Sequence, residues 1–413
     1  MKIDFSKLYL IPRESIANAF FYASMLLAFF GSMNVWFLLP VATFFPIMSF
    51  ILGLSAFIIS RPLDKQIFCS SDALFPTIAF IILLFYQAVV NDNNVNTYIK
   101  ALFNSAVLYI FLKYDKQRLG KFSDILAKTI GGILLVSYPI FLLYLIGFPL
   151  PYSDLDFNDG FYYFSNYYFF LIDERSLFSI IPRFQSIFLE PTYLGSTTAL
   201  LLMTQRGKWK RWYNVSMLFG LFISFSLAGY AYIFAITFLN LWTNREKIVK
   251  KVVIAFTVIV LGIAGAFFYN GGDNLVHDLI LLRLEMNDGE MEGNNRVTKS
   301  FDNEYDGYVQ TTDIILGRDY DYSSFGDSGY KVYIYDYGLV GTLLLFTFYF
   351  FLFRRFSDAR ALTSACIILL LIWGVDAFVL WFGRMIPLYI TAIKEKETTT
   401  EYEHTDRLHS LPA

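Results

Sequence analysis

Apolar runs of membrane-spanning length recur from one end of this chain to the other. They cover about 16–60, 74–90, 98–114, 126–148, 187–204, 212–242, 252–269, 332–353 and 361–393. About 20 apolar residues in a helix cross the hydrocarbon core of a bilayer, and backbone polar groups in lipid must be satisfied within the segment. The first block is too long for one span and carries a polar break at Gly31-Ser32-Met33-Asn34, so it divides into about 16–32 and 35–59. The block 212–242 is long enough for two spans. Ser226-Leu227-Ala228-Gly229 near its middle is either a tight reversal or a close-packing point in one tilted helix. The block 361–393 is one long span or a shallow hairpin. These runs predict an all-α, polytopic integral membrane protein of about 11–12 transmembrane helices in a single membrane domain over 1–413. A chain that is 56% hydrophobic and 16% charged fits that class and not a soluble domain. Residues 394–413 read as a polar, disordered tail.

Two polar stretches are long: 150–186, with the aromatic cluster Phe161–Phe170, and 270–330. Neither is apolar enough for a core of its own. Tyrosine-rich clusters suit the membrane–water interface, with rings in the headgroup layer and hydroxyls wet; stacking on sugars is the other use of such a cluster.

Lys and Arg are sorted by loop. One alternating set holds Arg61 and Lys65, Lys113 to Lys121, Arg206 to Arg211, Arg245 to Lys251, and Arg354 to Arg360, and the N-terminus adds Lys2, Lys7 and Arg13. The positive-inside rule then makes the N-terminus cytoplasmic and sends both large loops outward. It also favours a reversal within 212–242, because without one the Arg245 loop would lie outside. Net charge is −2, with most basic residues sorted by loop, and no nucleic-acid partner is expected. Two cysteines and three scattered histidines suggest neither a disulfide framework nor a metal or cofactor site. Met1–Ser15 is mixed polar with no small-residue cleavage site after it, so no cleavable signal peptide is expected.

A few ionisable residues escape this sorting. Arg183 and Glu190 stand seven residues apart where a polar loop enters an apolar run, and Pro191 suits the first turn of the helix that follows. Two readings fit. Arg183 is an interfacial anchor and Glu190 a helix cap, or both face a polar cavity and handle an anionic, hydroxyl-rich substrate. Arg296 and Arg318 lie in the otherwise acidic second loop, where each either pairs with a neighbouring acid (Glu292; Asp319 or Asp321) or offers its fork to phosphate oxygens.

Arg183-x-x-Ser186-x-x-x-Glu190-Pro191-x-x-x-Gly195 before a membrane span resembles the motif of the O-antigen polymerases (Wzy) and related bacterial polysaccharide polymerases, a group that includes the O-antigen ligases. In the second loop Asn295-Arg296, Ile315-Leu316-Gly317 and Tyr337-Gly338-Leu339-Val340-Gly341 resemble the family's Arg, its Gly turn and its Gly-rich helix entry more loosely. Ligases of the group often place a His before that last helix; Gly326-Asp327-Ser328-Gly329-Tyr330 stands there instead, which argues against a ligase.

The resemblance implies a metal-independent, inverting glycosyltransferase at the outer face of the bacterial inner membrane, joining repeat units carried on undecaprenyl diphosphate. It implies Glu190 as general base with Asp327 as alternative, Arg183 and Arg296 as a diphosphate clamp with Arg318 nearby, and Tyr193 and Tyr330 along the sugar path. The lipid-linked oligosaccharide, membrane lipid, a flippase and a chain-length regulator are the implied partners, and no cofactor is. Rival readings are an O-antigen ligase, a lipid-linked oligosaccharide transporter or flippase, and a catalytically silent assembly protein. Asp376 and Lys128, inside apolar runs, are the main features a transporter would share.

Overall fold

A computed structural model describes residues 12–60, 71–91, 94–114, 116–157, 162–173, 182–205, 208–244, short pieces between 257 and 291, 299–319, 329–354, 359–375 and 381–391. The chain is an all-α, polytopic membrane protein. Its described helices are α1 Arg13–Phe30, α2 Phe45–Ser60, α3 Ser71–Asn91, α4 Val95–Lys113, α5 Lys116–Leu145, α6 Pro191–Thr204, α7 Trp212–Ile223, α8 Leu227–Asn244, α9 Lys299–Tyr308, α10 Tyr330–Phe353, α11 Ala359–Val375 and α12, residues 382–391.

Among the described residues five helical segments are long and apolar enough to cross a membrane: Leu39–Ser60, Asp72–Val90, Val95–Lys113, Gln117–Leu145 and Tyr330–Phe353. The other apolar runs of the sequence form shorter or less apolar helices or lie outside the described residues. Several apolar runs are cut into helices below spanning length, such as α6 with 14 residues and α7 with 12. In the block 361–393, α11 covers residues up to Val375 and α12 covers 382–391, and 376–380 lie outside the described residues. The run expected at 252–269 lies mostly outside the described residues.

Helix α5 begins at Lys116, about three turns before the apolar run does. The basic residues Lys116, Arg118 and Lys121 therefore stand on a helix and not in a loop. The first polar loop folds into a three-stranded antiparallel meander that the sequence reading did not foresee: β1 Ser153–Phe157, β2 Tyr162–Asn166 and β3 Leu171–Asp173. A two-residue hairpin, Met286–Asn287 with Glu290–Met291, lies in the second loop.

The chain divides into two compact units. One comprises Met1–Phe122, Lys299–Leu362 and Ile372–Ala413. Within it α1 packs along α2, and α3 packs on α10. Aromatic rings fill its interior: Phe21 stacks on Tyr114 at 3.8 Å, and Phe80 meets Phe348 at 4.8 Å. Exposed Phe44, Met48, Ile51 and Ile58 give α2 and the turn before it an apolar outer face, as a lipid-facing helix requires.

The other unit comprises Ser123–Thr298 and Thr363–Leu371. Its centre is α6, of which Leu194 to Thr204 are all buried. Helices α7 and α8 both pack on α6. A side chain at Gly195 would meet the Ser226 Cβ at 2.8 Å, and one at Gly229 would meet the Gly195 Cα at 2.9 Å. Small residues at both points let the two backbones touch. The 212–242 block is interrupted at Ser224-Phe225-Ser226, and Ser226 and Gly229 beside the break are a close-packing point against Gly195.

Candidate functional site

Arg183 and Glu190 lie in the second of these units, on a segment that is buried although it is not a helix. Phe184 to Leu189 are all below the surface. The Phe184 ring packs on Tyr138 at 5.3 Å and on Phe141 at 5.0 Å, both on α5. The Phe184 N–H donates to Ile223 O at 3.2 Å, and the Leu171 N–H donates to Ser186 O at 3.0 Å. The Ser137 and Ser186 hydroxyls lie 2.8 Å apart. The segment is held by α5, β3 and the end of α7 together, which fixes the side chains it carries.

The aromatic cluster of the first loop braces the same region. Tyr167 stacks on Phe170 at 4.8 Å, and Phe170 meets Phe141 edge-on at 5.4 Å. Phe164 and Phe170 are fully buried, whereas Tyr168 and Phe169 are exposed. Part of the cluster is therefore a core, with Tyr163, Tyr168 and Phe169 exposed.

Arg183 is half-buried, and its Nε–H donates to Ser224 O at 3.4 Å, in the break between α7 and α8. Glu190 occupies the N-cap position of α6 in extended backbone, but its carboxylate accepts no capping hydrogen bond from the helix. Pro191 stands at the first helical position as expected. The helix-cap reading of Glu190 thus lacks the bond that defines it. Tyr193, half-buried, sits in the first turn of α6 and donates its N–H to Glu190 O at 3.1 Å. Gln185, between the two charged residues, is 1% exposed, and its Nε2 finds no hydrogen-bond partner among the described residues. Sequence reasoning passed over Gln185; its place two residues after Arg183 was the available signal.

Arg318 and Tyr330 belong to the other unit, and Arg296 and Asp327 lie outside the described residues. Arg318 donates to Asp313 at 2.7 Å and to Glu304 at 3.4 Å. Those acids differ from Asp319 and Asp321, the partners that proximity in sequence suggested. The Asp313 carboxylate raises the Arg318 pKa further above its already high value. Lys331 is likewise bound to Asp302 at 2.6 Å. Tyr330 packs its ring on Trp373 at 5.8 Å.

The two glycine motifs of the second loop meet. Helix α10 is broken at Gly338, where φ is 63° and ψ is −169°. Gly317, at φ 92°, lies against that break. The Arg318 N–H donates to Tyr335 O at 2.7 Å and the Val340 N–H to Ile315 O at 3.0 Å, so the loop caps backbone groups that the break frees. From α3 the Tyr86 hydroxyl reaches Leu316 O at 2.6 Å and Tyr337 O at 3.1 Å. Asp336, fully buried, stands two residues before Gly338. It was not singled out from sequence, because a lone Asp among tyrosines carries no spacing signal. Among the described residues no group of three or more His, Cys, Asp or Glu is placed to hold a metal ion.

The Tyr86 hydroxyl ties three segments together. Tyr86→Phe is expected to cost about 0.5–1.5 kcal/mol, the range for an ordinary hydrogen bond, because Leu316 is exposed. Chemical denaturation in detergent measures it, and a change of only a few tenths would show that the contact is dispensable.

Comparison with family models, curated proteins and solved structures gives no match.

Proposed function

We propose that this chain is a polysaccharide polymerase of the O-antigen type in the bacterial inner membrane. It would transfer a growing glycan from undecaprenyl diphosphate onto the next lipid-linked repeat unit at the outer face. The observation that carries the reading is that Arg183 and Glu190 stand on a buried, non-helical segment that leads into α6. Helix α6 has 14 residues, about 21 Å at 1.5 Å per residue. Its far end adjoins the basic turn at Arg206–Arg211, which the charge rule assigns to the cytoplasmic interface. With α6 along the bilayer normal and its far end at the cytoplasmic interface of a hydrocarbon core of about 30 Å, Glu190 would lie roughly 9 Å below the outer interface. Ionisable groups at that depth are costly and mark functional paths.

The reaction follows from what such a recess supplies. A sugar hydroxyl of the incoming unit attacks the anomeric carbon that carries the lipid diphosphate. The carbon–oxygen bond to the diphosphate breaks, a glycosidic bond forms, and the configuration inverts. Glu190 takes the hydroxyl proton, with Asp327 as the alternative base. Arg183 and Arg296 stabilise the departing diphosphate through paired, charge-assisted hydrogen bonds. Arg318 is engaged by Asp313 and Glu304, so its role in this reading is to hold the Gly317 loop on α10. Tyr193, in the first turn of α6, is a candidate for the sugar path. A flippase would deliver units, and a chain-length regulator would stop growth.

One observation favours a second reading. A broken apolar helix with a buried carboxylate, Asp336 beside Gly338, is a feature of transporters of lipid-linked cargo. The glycan size ladder of a deletion strain separates the two. Loss of a polymerase leaves surface glycans capped with one repeat unit. Loss of a transporter leaves none, and loss of a ligase leaves lipid-linked polymer that never reaches its acceptor.

The same reading fixes the topology. In a variant without Cys69 and Cys366, a cysteine at exposed Tyr168 should react with a membrane-impermeant maleimide in intact spheroplasts. One at Lys210 should react only after permeabilisation. Labelling of Lys210 from outside would reverse the orientation and the placing of the site.

A further inference from the structure

A basic turn and an apolar helix face meet in the second unit at a place the polymerase reading does not use. The turn between α6 and α7 forms a shallow, open cavity of about 430 Å³ lined by Lys208, Trp209, Lys210 and Arg211. Lys208 and Lys210 are exposed, and neither ammonium is ion-paired among the described residues. Arg211 is anchored, with its guanidinium 3.5 Å from Asp124 and donating to the Tyr213 hydroxyl. Lys208 and Lys210 thus add two cations beside the Arg211–Asp124 pair, Trp209 lines the same cavity, and Trp212 follows it at the start of α7.

From this turn α7 runs away with one exposed apolar stripe. Trp212 is 52% exposed, Val215 52%, Phe219 51% and Phe222 67%. Their spacing of three and four residues puts them on one face of the helix. From Trp212 to Phe222 the stripe is about 15 Å long, by the helical rise. That matches half of a hydrocarbon core of about 30 Å, the depth of one leaflet.

We propose that this turn and stripe bind one anionic diacyl phospholipid, its phosphate at Lys208 and Lys210 and an acyl chain along Trp212–Phe222. Cationic pockets beside membrane helices hold anionic headgroups by charge and by hydrogen bonds from the ammonium groups. The stripe supplies what a soluble phosphate could not use, an apolar face one leaflet deep. The proposal does not depend on the reaction proposed above.

The test is lipid retention by the full-length chain in detergent, read by native mass spectrometry during titration with phosphatidylglycerol or phosphatidylcholine. Phosphatidylglycerol should be retained in one-to-one stoichiometry and more tightly. Replacing Lys208 and Lys210 with Ala together should weaken that retention about tenfold or more. Both lysines are exposed, so the fold should survive the change. Val215→Ala with Phe222→Ala should weaken it separately by shortening the stripe. Millimolar inorganic phosphate should not displace the lipid. Equal retention of the two lipids, an unchanged lysine variant, or displacement by phosphate would each overturn the proposal. So would a polyisoprenyl phosphate that excludes phosphatidylglycerol from the site.

Discussion

Glu190→Gln is expected to insert and fold normally, bind lipid-linked substrate, and elongate glycan roughly 100- to 10,000-fold more slowly than the parent. Gln keeps the size and polarity of Glu but cannot accept the proton of an attacking hydroxyl. The opposing explanation is that Glu190 only serves the helix. Glu190 stands at the N-cap of α6, yet its carboxylate makes no capping bond there. Attraction to the positive end of the helix is worth on the order of 0.3–1 kcal/mol. If Glu190 is the base, its replacement by Gln should collapse turnover while the protein stays folded. Assays on purified variant with defined lipid-linked units, beside a binding measurement, read both quantities. A Gln variant that elongates within a few-fold of the parent would remove Glu190 as base and direct attention to Asp327.

The second large effect is structural. Gly317→Ala and Gly338→Ala should each cost about 2–6 kcal/mol, combining a strained backbone at 1–3 kcal/mol with overpacking at 1–3 kcal/mol. Gly338 has φ 63° and ψ −169°, a conformation essentially restricted to glycine. A Cβ there would stand 2.5 Å from the Gly317 nitrogen, and one on Gly317 would overlap the carbonyl of Asp336. Backbone lies on both sides, so neither side can yield by rotating a side chain. The expected outcome is loss of folded protein from the membrane fraction at ordinary growth temperature. Gly307→Ala is the control. Nothing lies within 4 Å of a Cβ there, and Ala in helix α9 should be neutral or slightly stabilising. Normal levels of both Gly317→Ala and Gly338→Ala would mean that the crossing is looser than these contacts require.

Much of this arrangement was legible in the sequence, for identifiable reasons. Runs of apolar residues specify membrane helices because lipid leaves the backbone no other partner. The Pro191 start of α6 followed from proline's missing N–H. The glycines of the second loop were singled out as motifs, and the structure shows why they must be glycine: the two segments cross backbone to backbone. What could not be read was pairing at long range. No local signal links Tyr86 to Leu316, or Arg318 to Glu304. The three-stranded meander was hidden because its tyrosines and phenylalanines suit an interface as well as a strand. Asp336 was hidden because burial decides its significance, and burial is a tertiary property.

The central claim is that this chain lengthens lipid-linked glycan. Its most direct test is reconstitution of the purified protein in vesicles with one defined undecaprenyl-diphosphate-linked repeat unit. The account predicts a ladder of lipid-linked products rising in steps of one unit, with free undecaprenyl diphosphate released in step and the ladder lost in the Arg183→Ala variant. Units that cross the bilayer without growing longer, or a ladder that persists unchanged in Arg183→Ala, would contradict it.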